Sequence, residues 1–320
     1  MRFKPFGKTG LSLSQIALGG HEFLKTGLSR GFNEDFAQAV TRGYVAPGFG
    51  GPKRLDILRA AYDHGINLFD VTIDSEKEAL GRNLAELPPP YPVHIQTRPE
   101  GMCYGYDPGN RQMLDYSLLR VETERVLTLI RRDVIDFYNI GLINWSIDQT
   151  PDYMARLTDN LARLKHDGLI RFAVADSHAG ERLYLAELDS GGFDAVNLDL
   201  SLGEFDGLQA VVPRARELGL GVIAREVFFK GELFPIAEQV GLTDRAAVAR
   251  TALAWVSLQN PDVIILGVDN AEQLKANAAT LDAGPEALDE DLRQALEGCA
   301  SFQAYRDKRT ALFFERSPAG

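Results

Sequence analysis

The chain has 320 residues, of which 45 % are hydrophobic, and its 45 acidic and 34 basic side chains give a formal charge of −11 at pH 7. This length and apolar content suit one large globular unit, and the negative charge argues against nucleic acid or an anionic membrane as a partner. The two cysteines, Cys103 and Cys299, form no disulfide or zinc pattern, and the start of the chain lacks the apolar core of a signal peptide. We therefore expect a cytoplasmic protein.

Short apolar or β-branched runs alternate with amphipathic stretches between residues 15 and 281, which is typical of repeated βα units around a parallel sheet. The predicted strands are 15–18, 67–69, 93–96, 134–140, 170–174, 195–198, 222–224 and 263–266. Apolar residues at helical spacing predict helices over 54–64, 117–131, 154–166 and 245–258. The pattern indicates an α/β chain that closes into a (β/α)8 TIM barrel, and we assign residues 1–320 to one domain.

Three segments flank or interrupt the barrel units over residues 15–281. Residues 3–14, with Gly7 and Gly10 as turn residues, predict a β-hairpin that plugs the bottom of the barrel. Residues 22–52 form a loop insertion after the first strand, and its glycine-rich part, 43–51, is interpreted as a flexible surface loop, with a lid over the barrel mouth as the alternative. A C-terminal extension over 287–320 contains a helix at 289–299 followed by a tail.

The alternative to a barrel is an open doubly wound sheet. Such a sheet would carry a phosphate-binding Gly-x-Gly-x-x-Gly in its first βα turn. Here Gly19 and Gly20 are followed by His21-Glu22-Phe23, so this fingerprint is absent.

Several segments, by their order and spacing, resemble the aldo-keto reductase family. They are Phe6-Gly7-Lys8-Thr9-Gly10-Leu11 at the start, Gly65-Ile66-Asn67-Leu68-Phe69-Asp70, Asp133-Val134-Ile135-Asp136-Phe137-Tyr138, Gly168-Leu169-Ile170-Arg171-Phe172-Ala173-Val174, and Ile265-Leu266-Gly267-Val268. The resemblance implies that family's barrel with its N-terminal hairpin, and carbonyl reduction with a nicotinamide cofactor at the carboxyl ends of the strands.

The resemblance also exposes departures at the catalytic positions. Members of the family use an Asp, a Tyr, a Lys and a His at the barrel mouth. Asp70 matches the first, the Tyr has no counterpart, Arg98 stands for the Lys and Gly141 for the His. An arginine stays charged, so it can hold an anion but cannot lower the pKa of a phenol and then exchange protons. We therefore expect a remodelled active site.

The cofactor positions implied by the resemblance are Asp176, Asn197, Arg225, Gly267, Asp269, Gln273 and Asn277. Asp176 lies where the family grips the carboxamide with a Ser-Asn pair, Asn197 can replace the family's Gln, and Arg225 replaces the aromatic residue beneath the nicotinamide. Asp269 lies where a basic residue usually meets the 2′-phosphate of NADP. Because a carboxylate repels phosphate and accepts hydrogen bonds from ribose, we expect NAD rather than NADP, with no cofactor as the remaining alternative.

Polar residues near the predicted strand ends supply the catalytic candidates, which are Asp70, Arg98, His21, His178 and Glu226. His and carboxylate pairs can be poised for general acid/base work near neutral pH. Structural interpretations stay open. Asp70 could satisfy backbone amides, Arg98 could clamp a substrate carboxylate or, as we prefer, neutralise Asp70, and Arg225 could pair with Glu226. No metal site is predicted, because the spacing of His21, Glu22, Asp70 and His178 is not diagnostic.

Three functions remain open. The first is an NAD(P)-linked oxidoreductase with a remodelled site that acts on a small polar, sugar-like carbonyl or alcohol. The second is a non-redox lyase, isomerase or hydrolase at the same mouth, and the third is a binding or regulatory barrel without catalysis. The exchange of one polar set for another favours an enzyme, since a decaying mouth should collect small and apolar residues. The expected partner is a small polar molecule, and the sequence does not indicate an oligomeric state.

Overall fold

The computed structural model describes residues 1–178 and 180–314. The strands are β1 (Phe3–Pro5), β2 (Ser12–Ser14), β3 (Ile16–Gly19), β4 (Leu68–Asp70), β5 (His94–Thr97), β6 (Ile135–Ile140), β7 (Ile170–Ala175), β8 (Ala195–Asp199), β9 (Gly221–Arg225) and β10 (Val263–Leu266). The helices are α1 (Phe36–Ala39), α2 (Pro52–Asp63), α3 (Asp74–Glu86), α4 (Tyr116–Ile130), α5 (Asn144–Gln149), α6 (Tyr153–His166), α7 (Glu181–Asp189), α8 (Val211–Glu217), α9 (Leu233–Gln239), α10 (Arg245–Leu258), α11 (Ala271–Ala283), α12 (Glu290–Glu297) and α13 (Ala300–Phe314).

Strands β3 to β10 form a closed parallel barrel in which β10 pairs with β3. Each predicted barrel strand is present within one residue of its predicted bounds. Most strand residues are buried, because one face fills the barrel and the other packs against the helices, as in parallel sheets generally. The prediction of a (β/α)8 barrel is therefore confirmed.

The N-terminal hairpin, β1 paired antiparallel with β2, closes the amino-terminal end of the barrel. Phe6 is fully buried, and its ring meets the ring of Phe137 edge-on with centroids 5.3 Å apart. Gly221, at the start of β9, leaves room for Phe6, since a Cβ there would lie 2.3 Å from the phenyl ring. The predicted hairpin is confirmed, and one aromatic side chain is its principal plug.

The outer helices bury one face against the barrel. In α6, Leu157, Leu161 and Leu164 are buried at helical spacing. The N-terminus of α4 is capped by Asp115, whose carboxylate accepts the backbone N–H groups of Ser117 and Leu118. These local signals explain why the sequence predicted the main helices to within two residues.

The insertion after β3 divides into two parts. Its glycine-rich stretch, 43–51, lies against α3, where Phe49 packs with Ile73 and Ala79. The N–H of Gly43 donates to the Asp74 carboxylate at 2.7 Å and that of Gly50 donates to Glu22 at 2.6 Å. The interpretation as a lid over the mouth is wrong for this stretch, because it is anchored to the side of the barrel. The earlier residues of the insertion, 23–36, approach the mouth instead.

The C-terminal extension contains α12, as predicted, and a further helix, α13, that the sequence analysis treated as a tail. Residues 315–320 of the predicted extension lie outside the described residues. Side chains of α13, including Arg309 and Phe313, reach the barrel mouth. Within the described ranges, no helix has the length and apolar character needed to cross a membrane.

We predict that Phe6→Ala lowers the free energy of unfolding by about 3–5 kcal/mol, because it empties a buried aromatic site at the base of the barrel. Phe3→Ala in the same hairpin is the control, since Phe3 is half exposed and should cost under about 1 kcal/mol. Urea unfolding followed by circular dichroism measures both. Equal effects of the two substitutions would contradict the role of Phe6 as the plug.

Candidate active site

A cleft of about 2390 Å³ opens at the carboxyl ends of the barrel strands and extends to α11. All of the residues predicted for catalysis or cofactor binding line it, namely His21, Asp70, Arg98, Asp176, His178, Asn197, Arg225, Glu226, Gly267, Asp269, Gln273 and Asn277. Closure of the parallel barrel brings these residues together, because every strand ends at the same rim. Their contacts divide them into groups with different chemistry.

Asp70, at the end of β4, carries a carboxyl that no cation within residues 1–178 and 180–314 contacts. Gln96 on the adjacent strand donates its side-chain N–H to Asp70 Oδ1 at 3.0 Å. Burial, together with the negative charge of Asp176, raises the pKa of Asp70 to about 7, despite the opposing hydrogen bond from Gln96. A carboxyl with this pKa can both give and take a proton at neutral pH.

Arg98 does not neutralise Asp70, so our preferred interpretation of this residue is wrong. Its guanidinium lies over the rings of Tyr104 and Tyr106, 5.2 and 5.6 Å from their centroids. The residue is 5 % exposed, and its Nε and Nη2 atoms are buried without a hydrogen-bond partner. A buried cation with free donors is costly, which marks Arg98 as a candidate binding group.

Tyr104 supplies a hydroxyl to the mouth from the loop after β5. Its backbone N–H donates to Gly141 O at 2.6 Å, and its hydroxyl donates to Asp176 Oδ2 at 2.6 Å. A Cβ on Gly141 would lie 2.1 Å from the Tyr104 ring. Gly141 thus makes room for a tyrosine from another loop. Burial, with the charge of Asp176, raises the pKa of Tyr104 well above its usual value, so the phenol stays protonated.

Arg225, at the end of β9, binds two carboxylates from the neighbouring part of the rim. Its Nη1 contacts Asp176 Oδ1, and its Nε donates to Asp199 Oδ1 at 2.6 Å. The expected pair with Glu226 is wrong: Glu226 adopts a positive φ of 60° and its nearest cation is Lys230, at 3.9 Å. Glu226, the residue directly after Arg225, thus has a left-handed backbone conformation.

His178 joins this charged network as a neutral imidazole. Its Nδ1 lies 3.2 Å from Asp199 Oδ2 and 3.1 Å from Arg225 Nη2. Burial and the positive charge of Arg225 lower the pKa of His178, outweighing the attraction of Asp199. The ring is therefore uncharged at pH 7 and can accept a proton only at lower pH.

Helix α13 adds a cation to the same side of the cleft. Arg309 donates to Asp199 Oδ2 at 2.9 Å and to Glu204 Oε2 at 2.6 Å. Burial and the nearby charge of Asp199 raise the pKa of Glu204 to about 7, although Arg309 opposes this. The C-terminal helix is thereby tied to the rim of the barrel by charge.

His21, after β3, forms a separate pair with Glu76 on α3, at 2.7 Å between Nδ1 and Oε1. Burial disfavours the charged imidazole, but the charge and hydrogen bond of Glu76 raise the pKa of His21 above its usual value. Burial likewise disfavours the carboxylate, yet His21 and the amide and hydroxyl of Thr72 lower the pKa of Glu76 to about 2. This pair is an ion pair near neutral pH.

Aromatic rings connect the two histidines along one wall of the cleft. Successive centroids are 5.2 to 6.1 Å apart in the series His21, Phe32, Phe36, Tyr106, Tyr104 and His178. Such a wall offers ring faces to the C–H groups of a polar ligand as well as an apolar boundary. Phe36, in the middle of the series, is half exposed, so this part of the wall faces the solvent.

The outer end of the cleft lies beside β10 and α11. Phe23 packs on Gly267, where a Cβ would lie 2.7 Å from the ring. Gln273 accepts the backbone N–H of Asp269 at 2.7 Å, and the Asp269 carboxylate is partly exposed, 3.4 Å from Lys53. Asn277 lines the same wall. A carboxylate paired with a lysine, together with two amides, therefore supplies polar groups to this end of the cleft.

The remaining predicted cofactor residues lie near the barrel axis. Asn197 donates its side-chain N–H to Asp176 Oδ1 at 2.8 Å, and its Oδ1 is buried without a partner.

Glu22, one of the residues considered for a metal site, binds Arg30 and the N–H of Gly50. Over residues 1–178 and 180–314, no group of three or more His, Cys, Asp or Glu side chains is arranged to hold a metal ion.

Sequence reasoning missed five residues that shape the site, which are Glu76, Tyr104, Tyr106, Glu204 and Arg309. The two tyrosines follow the third barrel strand closely and could have been found by extending the search for strand-end polar residues. Glu76 lies on a helix, and Arg309 lies beyond the eighth βα unit. No local pattern indicates that either of these two reaches the mouth.

No family model matches the sequence, and neither does any curated protein. Solved structures do match. An aldo-keto reductase from Bacillus halodurans, in its holo form, superimposes with a TM-score of 0.65 at 16 % identity, covering 93 % of this chain and 95 % of that chain. A glycerol dehydrogenase from Gluconobacter oxydans gives 0.63 at 20 % identity, covering 99 % and 97 %. The chain therefore has the fold of aldo-keto reductase structures.

We predict that Asp70→Asn becomes more stable than the wild type as pH rises. The folded-state pKa of about 7 exceeds the unfolded value, so the contribution of Asp70 is complete below about pH 4 and is lost as pH rises through 7. At about 1.4 kcal/mol per pKa unit, the free energy of unfolding of the variant should exceed that of the wild type by at most about 4 kcal/mol at pH 8 and by little at pH 4. Urea unfolding at several pH values measures this. Asp56→Asn on the surface is the control, and a pH-independent difference for Asp70→Asn would contradict the assignment.

We also predict that Gly141→Ala destabilises the protein by about 1–3 kcal/mol, because its methyl group collides with the Tyr104 ring. In a Tyr104→Ala background the same substitution should cost under about 0.5 kcal/mol, since the obstructing ring is gone. A double-mutant cycle from thermal or urea unfolding gives the coupling. Additive effects would show that the glycine is not there to admit the tyrosine.

Proposed function

We propose that this protein is an NAD-linked oxidoreductase that interconverts a small polar carbonyl compound and its alcohol. The observation that carries the proposal is the continuity of one cleft from Asp70, a carboxyl with a pKa of about 7, to the amide-rich wall at α11. An acid/base group at one end and a long groove with polar groups at the other suit a reaction that joins proton transfer to a bound dinucleotide. One structure of the same fold is a holo form, and another is named a glycerol dehydrogenase, which agrees with a polyol-like substrate.

The residues of the cleft fit NAD at both ends. Gln273 and Asn277 would contact the adenosine half, and the Asp269 carboxylate would accept hydrogen bonds from ribose hydroxyls. The buried, unpartnered Oδ1 of Asn197 suits the N–H of a carboxamide near the barrel axis. When bound, the cofactor supplies or accepts the hydride. The same Asp269 carboxylate would repel the 2′-phosphate of NADP.

Asp70 is the residue that we assign to proton transfer. In the direction of reduction its neutral carboxyl donates a proton to the substrate oxygen, and in oxidation its carboxylate removes the hydroxyl proton. Gln96 holds Oδ1 through its hydrogen bond, which leaves the other carboxyl oxygen for the substrate. Tyr104 is engaged with Asp176, so we assign it to positioning rather than to the proton transfer.

Arg225 favours a second candidate function. By the resemblance to the family, Arg225 corresponds to the ring beneath the nicotinamide, and Asp176 and Asp199 hold its guanidinium. If this charge excludes the nicotinamide, Asp70 and Arg98 would serve a non-redox lyase, isomerase or hydrolase on a polar substrate. Either reaction suits a reducing cytoplasm, which agrees with two buried cysteines that are both free.

Titration of the purified protein with NAD, NADH, NADP and NADPH tests the proposal, with heat or cofactor fluorescence as the readout. We expect micromolar binding of NAD or NADH and weaker binding of the phosphorylated pair. Turnover is then measured with polyols and sugars, where Asp70→Asn should lose activity while retaining cofactor binding. Failure of all four nucleotides to bind would overturn the redox proposal in favour of the non-redox candidate.

We predict that Asp269→Arg reverses the cofactor preference. The substitution replaces a repelling carboxylate with a cation suited to the 2′-phosphate, so NADPH should bind about tenfold more tightly, which corresponds to about 1.4 kcal/mol. Asp56→Arg makes the same charge change away from the cleft and should leave the preference intact. Equal responses of the two variants would place Asp269 outside the ribose site.

A further inference from the structure

Among the residues that the structure describes, Arg98 differs from the other buried arginine of the mouth in having no carboxylate in contact. Arg225 is bound by Asp176 and Asp199, whereas the nearest carboxylate that influences Arg98 electrostatically, Glu100, is paired with Lys77 at 3.0 Å. Lys77 and Glu100 are both buried, and Lys77 occupies Oε2 of Glu100, while Oε1 has no hydrogen-bond partner among the described residues. Arg98 therefore has no carboxylate of the described residues in direct contact, although the charge of Glu100 acts on it from a greater distance.

The two unpartnered nitrogens of Arg98 define the geometry of a ligand. Nε and Nη2 lie on one edge of the guanidinium, where their N–H bonds run in parallel and match the two oxygens of a carboxylate. The guanidinium lies over the faces of the Tyr104 and Tyr106 rings, and the electrostatics of the Tyr106 phenol also include a hydrogen bond with Arg98. Both tyrosine hydroxyls stay protonated, since burial raises the pKa of each phenol. Neither ring therefore neutralises the arginine.

We propose that Arg98 binds the carboxylate of the substrate, so that the substrate class is a small polyhydroxylated acid. The aromatic wall formed by Tyr104, Tyr106 and Phe36 would contact the C–H groups of such a molecule, and Asp70 lines the same cleft. The proposal rests on the proposed function only in taking the barrel mouth as the substrate site. It requires neither hydride transfer nor a bound nucleotide.

Calorimetric titration without nicotinamide tests the proposal with two matched pairs of probes, glycerate against glycerol and glucuronate against glucose. Each pair differs by a carboxylate in place of a hydroxymethyl group. In the wild type we expect at least one acid to bind tenfold or more tightly than its neutral partner. Arg98→Gln should abolish that preference, and Arg98→Lys should retain only part of it, because a lysine keeps the charge without the parallel N–H pair.

Arg245→Gln is the matched control. Arg245 lines the same cleft but is exposed, so its loss changes the charge without removing the proposed contact. The preference for the acid should survive in this variant. If Arg245→Gln and Arg98→Gln lose the preference for the acid equally, the preference arises from general charge attraction, and the proposal is contradicted.

Folding of the variant is checked by its melting temperature. If Arg98 is an uncompensated buried charge, Arg98→Gln should melt at or above the wild-type temperature in the absence of ligand. A lower melting temperature would indicate a structural role and would count against the binding role.

Two further results would overturn the proposal. One is the absence of a preference for the acid in both pairs of probes, and the other is tighter binding of glucose 6-phosphate than of glucuronate, which would indicate a phosphate site. Failure of the protein to bind nicotinamide nucleotides leaves these titrations unaffected. The two proposals can thus fail separately.

Discussion

The buried contact of Arg225 with Asp176 and Asp199 holds the arrangement of the barrel mouth together. The three residues lie at the ends of neighbouring strands, and each carboxylate has a second partner, Tyr104 for Asp176 and Arg309 for Asp199. One guanidinium thereby fixes the loop after β5 and the C-terminal helix α13. Removing one partner from such a buried group leaves an unpaired charge, which typically costs about 3–5 kcal/mol.

This network leaves the opposite part of the rim with charges that have no partner of opposite sign in contact. Asp70 has only the hydrogen bond from Gln96, and Arg98 has free donors beneath two aromatic rings. The rim thus has two halves. In the compensated half, Arg225, Asp176 and Asp199 are paired with charges of opposite sign and hold the site in shape. In the uncompensated half, Asp70 and Arg98 have no such contact and are suited to proton transfer and anion binding. In the compensated half the pKa values of Asp199 and His178 are lowered, whereas burial raises that of Asp70 and, beside Arg309, that of Glu204.

The fold was predictable because barrel strands and helices leave local signals. Runs such as Val263–Leu266 and the caps and apolar spacing of helices like α4 need no knowledge of distant contacts. The set of mouth residues was also predictable, since strand ends converge in a barrel. The pairings between these residues were not predictable. Arg225 binds Asp176 and Asp199 and not its neighbour Glu226, and the ring of Tyr104 occupies the space beside Gly141, which follows a different strand. Such choices depend on side-chain directions and on α13, which no sequence pattern places at the rim.

The most direct test of this account is the pKa of the Asp70 carboxyl, measured by carbon NMR on protein with labelled aspartate, with Asp70→Asn used to assign the signal. An acid/base group in the uncompensated half should titrate near pH 7. Titration near the ordinary value for an aspartate, about pH 4, would mean that a cation or water compensates Asp70. The division of the mouth, and the proton-transfer role built on it, would then be wrong.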